Sequence, residues 1–480
     1  MSINWLLLGA VIVYIAVVVI VGAISSKRHP AKDTKDMAIA GKQLGPLILG
    51  GTMAATWVGG GTITGGSLAV GANYGVFPAL LYTFCQCLAP LLLYVVAKKV
   101  NRRGAMTVGA IFDDRYGSFA KYFSAIVIVI AYVGTCSYQF KAFGNALYVC
   151  TGMNSDVALI VGTIVIVSLA MMGGMRSVAV TDCIGAIFIV FSMIAALLTC
   201  TGANGGFSGI AARAAAGTTK FPMGNMQVQA WLALTFGGTM NIIGDQNFIQ
   251  RMSAGKNDKT LKKAIYIFVA IILAVMICSS TLGWVLRTVY PDAKKVNSSL
   301  LFFTYAADAA PAIGALMLAC GAALILTTAN SYLLSATTSC VMDLWCVFID
   351  KAATEKRKVW YIRVFLVVFA AIGVVLGRFF PDVLSIQNYV YALYSSAITP
   401  ALFAALLWKK VTKAGATASI VSGTIITLAN EFSGRPIHGI QSAIFAIPIS
   451  VLLLYFVSKA TYKGPTEKDK KFFAEQEEAV

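Results

Sequence analysis

Three ionisable side chains, Lys141, Asp182 and Asp245, fall inside stretches otherwise apolar enough to cross a bilayer. A charge there is costly in lipid, so each is a candidate for binding, for an ion path or for an internal pair. Lys141 lies in TCSYQFKAFGN, three residues after Tyr138 and four before Asn145, so the three share a helical face. It either snorkels to an interface or, at its depth in the segment, meets a substrate anion or an aspartate. Asp182 follows Thr181 near the start of its span, either as a helix cap or as a carboxylate on the inner ion path. Asp343 sits nearer the inner end of a later span, at the edge of water.

The elements that must position these groups carry their own signals. Residues 50–66 read GGTMAATWVGGGTITGG, and Gly59, Gly60 and Gly61 together are a poor choice for holding a helix. Irregular backbone at membrane depth is tolerated only where protein buries it or it lines a watery cavity. The pattern predicts a discontinuous helix whose loosened middle holds a ligand or an ion, with Trp57 as a cavity wall. Residues 236–251, FGGTMNIIGDQNFIQR, repeat the GGTM tetrapeptide in a second interrupted span that contains Asp245. The two copies are five spans apart, which reverses topology. Paired broken spans in corresponding halves point to a secondary transporter with inverted repeats and a midplane site. Residues 322–339, AALILTTANSYLLSATTS, place hydroxyls along several faces, among them Thr327, Thr328 and Ser331. Most such hydroxyls bond the preceding turn; two adjacent ones facing unwound carbonyls suit a hard monovalent cation.

Of the 480 residues, 58% are hydrophobic and 12% charged, with a mean hydropathy of +0.78, which sets aside a soluble globular protein. Hydropathy gives thirteen candidate spans, near 4–25, 45–71, 76–97, 119–149, 156–173, 180–201, 228–249, 264–286, 311–346, 360–377, 383–407, 414–430 and 439–458. With the N-terminus outside, the inner segments hold thirty Lys and Arg, Arg115 and Arg251 included, and the outer segments seven. That bias predicts an outside N-terminus and a cytoplasmic C-terminus, and it accounts for the net charge of +18 without nucleic acid. Trp5, Trp231, Trp284, Trp345, Trp360 and Trp408 fall near span ends as an interfacial belt. The ten cysteines read as small buried hydrophobes, and neither His29 nor His438 has metal-ligand spacing. A membrane enzyme is disfavoured by the lack of a His/Cys metal cluster, a GxSxG elbow or a P-loop. A channel would want a continuous polar stripe, and a non-transporting sensor an appended signalling domain.

These residues resemble the solute:sodium symporter family, whose inverted-repeat fold is shared with the leucine transporter. The carriers are AGKQLGPLILGGTMAATWVGGG (40–61), GGMRSVAVTD (173–182), GDQNFIQR (244–251) and the stretch from Thr327-Thr328 to Asp343-Leu344-Trp345. ATWVGGG is most similar to the high-affinity choline transporter branch. The resemblance implies an all-α polytopic fold: a leading helix and basic loop (1–43), a first five-helix repeat (44–201) and an extracellular loop (202–227). A second repeat (228–408), two further helices (409–460) and a charged, disordered cytoplasmic tail (461–480) complete it. It implies sodium coupling, with carbonyls of Ala55, Val58 and Leu324 and hydroxyls of Thr327 and Thr328 as the main site. Asp182 and Ser331 match a second sodium site that some members carry. The solute is expected between Trp57, Thr62, Tyr138, Lys141 and Asp245. With a lysine there, a small carboxylate or zwitterion such as an amino acid is preferred over a quaternary amine such as choline. No organic cofactor is expected; the bilayer is the other partner, and monomer and weak homodimer are equally compatible.

Overall fold

The structure, a computed structural model, describes residues 4–30, 33–172, 174–215, 226, 228–292, 298, 300–379, 383–434 and 440–477. Among them the chain is helical, with a single isolated bridge between Leu44 and Gly255 in place of any sheet. Nine described helices are long and apolar enough to cross a membrane by length and composition. Of the remaining expected spans, 45–71 and 228–249 are interrupted, 156–173 is short, and 414–430 is long enough but less apolar.

The helix α1 (Trp5–Arg28) turns its apolar outer face outward and is followed by the short α2 (Thr34–Ile39). The first interrupted element follows. Pro46 opens α3 (Pro46–Trp57), Val58 leaves helical geometry, and the chain resumes as a π-turn over Gly61–Ser67 and then α4 (Leu68–Tyr74). The long helices α5 (Val76–Arg103) and α7 (Ser118–Thr151) flank the short α6 (Val108–Tyr116). Helices α8 (Ser155–Met172), α9 (Met175–Ala203) and α10 (Gly206–Arg213) complete the N-terminal half.

The second interrupted element comprises α11 (Val228–Gly244) and α12 (Gln246–Ala254), broken at Asp245. It leads into α13 (Asp258–Val289), α14 (Leu301–Asp308) and α15 (Pro311–Ser339). A π-turn over Cys340–Trp345 and the one-turn α16 (Cys346–Phe348) extend α15. Helices α17 (Glu355–Phe379), α18 (Val383–Ala397), α19 (Thr399–Leu407), α20 (Lys413–Phe432), α21 (Ala443–Thr461) and α22 (Glu467–Glu477) finish the chain.

Both halves of the first interrupted element sit at the centre. Helix α3 packs on α9 and α13, α4 on α13, and α15 runs beside α7, α9 and α1. The GGTM glycines make this proximity possible. A methyl at Gly51 would stand 2.7 Å from the Cys183 sulfur on α9, and one at Gly50 would meet the Ala264 carbonyl on α13 at the same distance. Gly238, in the second copy, faces the Gln86 amide on α5. The start of the first interrupted element and the end of the second are also stitched together by backbone: Leu44 N donates to Ala254 O at 3.0 Å, and Lys256 N donates to Leu44 O at 3.2 Å.

Four expectations change. The span 383–407 is kinked at Ile398 between α18 and α19, where the backbone stays helical and Pro400 occupies the start of the following helix. Trp284 is buried instead of belting an interface. Arg115 and Arg251, counted with the inner-loop charges, are both buried. The tail is ordered as α22: Thr466 and Asp469 cap each other reciprocally at its start, and Phe472 and Phe473 are buried. Their rings lie under Arg103, 3.9 Å from the Phe472 centroid, and Arg115, 5.1 Å from that of Phe473. Asp469 pairs with Arg115, which also donates to the Lys409 and Val411 carbonyls. The hydropathy scan sees only charge in this tail, because two aromatic residues among lysines and glutamates barely raise an average. All ten cysteines are free thiols, six of them buried, as expected; His438 lies outside the described residues.

Replacing both Phe472 and Phe473 by Ala should cost roughly 2–4 kcal/mol of the tail's docking free energy. Limited proteolysis after residue 463 should accelerate accordingly, and an unchanged cleavage rate would show that the aromatic pair does not seat the helix.

Candidate functional site

The break in the first element is held from two sides. On one side, Thr327 and Thr328 of α15 direct their hydroxyls to the Ala55 carbonyl, at 3.1 and 3.0 Å. The same hydroxyls reach the Leu324 carbonyl at 3.4 and 3.1 Å. Two carbonyls from different helices and two hydroxyls thus converge in a buried spot. Val58, where the helix stops, is three residues beyond Ala55. Hydroxyl protons can rotate away, so this set can present four oxygens to a cation without moving a heavy atom. It is neutral and hard, which suits a monovalent ion rather than a transition metal. Among the described residues no cluster of His, Cys, Asp or Glu could hold such a metal.

On the other side, the Gly60 N–H donates to Gln139 Oε1 on α7 at 2.9 Å. Gly59 and Gly61 leave no room for a side chain: a methyl at Gly59 would stand 2.6 Å from Gln139 Nε2, and one at Gly61 would run into the Tyr138 ring. The three glycines therefore serve both the break and the approach of α7 and α15. Among the described residues, Gln139 Nε2 is buried and has no hydrogen-bond partner.

Aromatic rings surround this point. Trp57 stacks on Tyr391 of α18, with centroids 5.6 Å apart and planes at 15°, and lies 6.4 Å from Phe248 of α12. Tyr138 is buried against the glycines. Trp57 and Tyr138, expected at the solute position, therefore do flank the same break. The side chain of Thr62 lies outside the described residues.

Asp245 occupies a different niche. It is fully buried and caps α12, accepting from the Asn247 N–H at 2.7 Å. Tyr132 and Tyr332 donate to its two oxygens at 2.7 and 2.6 Å. Gln246 N–H in turn donates to the hydroxyls of Tyr132 and Tyr394, at 2.7 and 3.0 Å, which satisfies the backbone exposed by the second break. The carboxylate is thus engaged as a structural cap with three donors.

Asp182 lies elsewhere again. Its Oδ2 accepts from Thr52 Oγ1 at 2.7 Å, Arg251 Nη2 at 3.3 Å and Ser331 Oγ at 3.4 Å. Arg251 also donates to Ser331 Oγ at 2.7 Å and Thr52 Oγ1 at 3.1 Å. Asp182 and Ser331 do meet, as expected, but around a guanidinium that is 0% exposed. Lys141 stands apart from both aspartates: its ammonium donates to the Gly377 carbonyl on α17 at 3.4 Å and is half-buried. Sharing a helical face with Tyr138 does not give it the same neighbours: the Tyr138 ring packs on Gly61, whereas the Lys141 ammonium reaches Gly377.

Gln139, Tyr391, Tyr132, Tyr332 and Arg251 are the residues that sequence reading passed over. Gln139 carried a usable signal, as a polar group within one turn of positions already singled out, and Arg251 did so as the last residue of the GDQNFIQR stretch. The tyrosines carried none, since a lone tyrosine in an apolar helix is ordinary.

A helical bundle broken twice at its centre, with an oxygen cluster at one break, is the architecture of leucine-transporter-fold secondary transporters. The solved structures agree. A Na+-coupled sialic acid symporter in its substrate-bound outward-open state superposes with a TM-score of 0.81 at 14% identity, over 96% of this chain and 98% of that one. A nucleobase-cation-symport-1 family transporter in a closed conformation gives 0.57 at 13% identity, over 93% and 99%. The sodium/proline symporter of Staphylococcus aureus (strain bovine RF122 / ET3-1) is 23% identical over 96% of this chain and 94% of its own. That of strain JH9 is likewise 23% identical, over the same shares. Residues 38–423 match the profile of the sodium:solute symporter family, and the chain belongs to that family. It is a multi-pass membrane transporter coupled to sodium, and not an enzyme.

If Asp245 is a cap, Asp245→Ala should destabilise the protein by roughly 3 kcal/mol, from a lost cap and two phenols left without an acceptor. Asp245→Asn, which still caps, should cost about 1 kcal/mol. Thermal unfolding of the purified variants reads the difference. Equal stability of the alanine variant and wild type would remove the structural role.

Proposed function

We propose that this chain is a symporter that moves a small zwitterionic solute, an amino acid, together with sodium bound at Ala55, Val58, Leu324, Thr327 and Thr328. The observation that carries the proposal is the meeting of both threonine hydroxyls with the Ala55 carbonyl at the helix break. The donor set fits the ion, as argued above. Sodium bound there ties the first interrupted element to α15, so it favours whichever conformation holds those two together. The ion supplies positive charge beside the break; the protein's own residues bind and orient the solute.

The solute position is assigned to the space beside Trp57, Tyr138, Tyr391 and the Gly59–Gly61 break, with Thr62 on the same segment. Gln139 Nε2, buried and without a partner among the described residues, offers a donor to a carboxylate there. The rings of Trp57 and Tyr391, stacked on each other here, would offer the π-surface that an ammonium prefers where they part. This replaces the expected roles of Lys141, whose ammonium is directed to the end of α17, and of Asp245, whose oxygens already have donors. The S. aureus relatives' name, sodium/proline symporter, supports an amino acid as cargo. The excess of basic residues on alternate loops supports an external N-terminus and a cytoplasmic C-terminus in a cell membrane.

The alternative, a choline-like quaternary amine, shares the aromatic wall but has no use for the Gln139 donor. In proteoliposomes with an inward sodium gradient, accumulation of proline or another amino acid is expected, and of choline not. Accumulation of choline alone would reverse the assignment, and gradient-independent equilibration would favour a channel. Thr328→Ala should raise the sodium concentration for half-maximal uptake about tenfold or more, the value of one lost ligand oxygen. Undiminished sodium stimulation in that variant would move the ion site elsewhere.

A further inference from the structure

The second sodium site that the family resemblance implies does not fit this chain, because a resident cation already stands in it. Asp182 Oδ2, Thr52 Oγ1 and Ser331 Oγ form an anionic oxygen cluster, with Thr56 Oγ1 bonded to Ser331 Oγ at 3.2 Å. In isolation such a carboxylate with three hydroxyls is a plausible seat for a monovalent ion. Arg251, however, sends Nη2 to both Asp182 and Ser331, Nε to Thr52 and Nη1 to the Asn247 carbonyl at 3.3 Å. Neither charged side chain of this pair is reached by solvent, at 0% and 1% exposure. An added sodium would lie within a few ångströms of the guanidinium and compete for the same oxygens. At a protein-like dielectric that repulsion weakens cation binding by well over a hundred-fold.

We infer that Arg251 is the fixed counter-cation of Asp182, so that this transporter binds one sodium ion per cycle, at the Thr327–Thr328 site. The inference rests on the sodium-symporter reading above and sharpens it to a stoichiometry. Its structural basis is independent of the solute. Arg251 belongs to α12, Thr52 to α3, Asp182 to α9 and Ser331 to α15, so one guanidinium joins both interrupted elements to the helices beside them. A mobile ion in that place would let the four helices separate whenever it left; a side chain cannot leave.

The test counts sodium rather than transport. Equilibrium binding of radioactive sodium to purified protein, in moles per mole, is compared for wild type, Asp182→Asn, Arg251→Gln and Thr328→Ala. One ion is expected in wild type, still one in Asp182→Asn, and in Thr328→Ala the same single ion with about tenfold weaker affinity. Arg251→Gln, which frees the carboxylate, should bind a second ion. Two ions in wild type falling to one in Asp182→Asn would overturn the inference, as would one ion lost altogether in Asp182→Asn. A folded Arg251→Gln protein that still binds one would show that the guanidinium excludes nothing. If Arg251→Gln does not fold, the comparison of wild type with Asp182→Asn decides alone. Failure of the underlying function looks different: wild type would bind no sodium, or Thr328→Ala would bind it unimpaired.

Discussion

A backbone that leaves its helix inside a bilayer must find partners within the protein, because lipid offers none. Everything near the centre of this molecule follows from how that demand is met at Val58–Gly61. The Ala55 carbonyl is reached by two threonine hydroxyls from α15, and the Gly60 amide by the Gln139 side chain from α7. Each partner is brought in by a helix that can approach only because glycine stands opposite. The same oxygens that satisfy the backbone are those an ion can borrow. The break is therefore stable with hydrogen bonds alone and can exchange them for a cation at small structural cost, which is what a carrier that must also return empty requires.

Charges buried in the bundle obey a similar rule by different means. Asp245 is neutralised by no cation among its hydrogen-bond partners; it is solvated by two phenols and a backbone amide at a helix N-terminus, where the dipole favours it. Asp182 is instead matched by Arg251 within a ring of hydroxyls. Such a pair stabilises little relative to well-packed apolar residues, yet removing one member costs about 3–5 kcal/mol. It enforces one arrangement of four helices more than it lowers the energy of the fold.

How much of this was legible in advance depended on whether the signal was local. A triple glycine in an apolar run, a repeated GGTM and an adjacent threonine pair are local anomalies, and they located both breaks and the oxygen cluster. Asp245 was found as an expensive residue, but its role hinged on Tyr132 and Tyr332, which are remote in sequence and ordinary in type. Arg251 was misplaced because hydropathy ends a span at the first arginine. Here the chain continues buried for three more residues, to Ala254. Lys141 illustrates the opposite limit: helical periodicity correctly aligned it with Tyr138, but periodicity says nothing about where along a 34-residue helix the neighbours change.

The tail helix has a further meaning when the order of synthesis is considered. Its seat is assembled from Arg103, Arg115 and the Lys409–Val411 turn, contributed by parts of the chain made far apart in time. The residues that fill the seat, Asp469, Phe472 and Phe473, are made after every part of the seat itself. Arg115 thus meets its carboxylate partner, Asp469, only once the chain has been made past that residue and both halves have come together. The docked tail is in effect a seal on the joined halves, and a chain cut before it would uncover the guanidinium groups of Arg103 and Arg115.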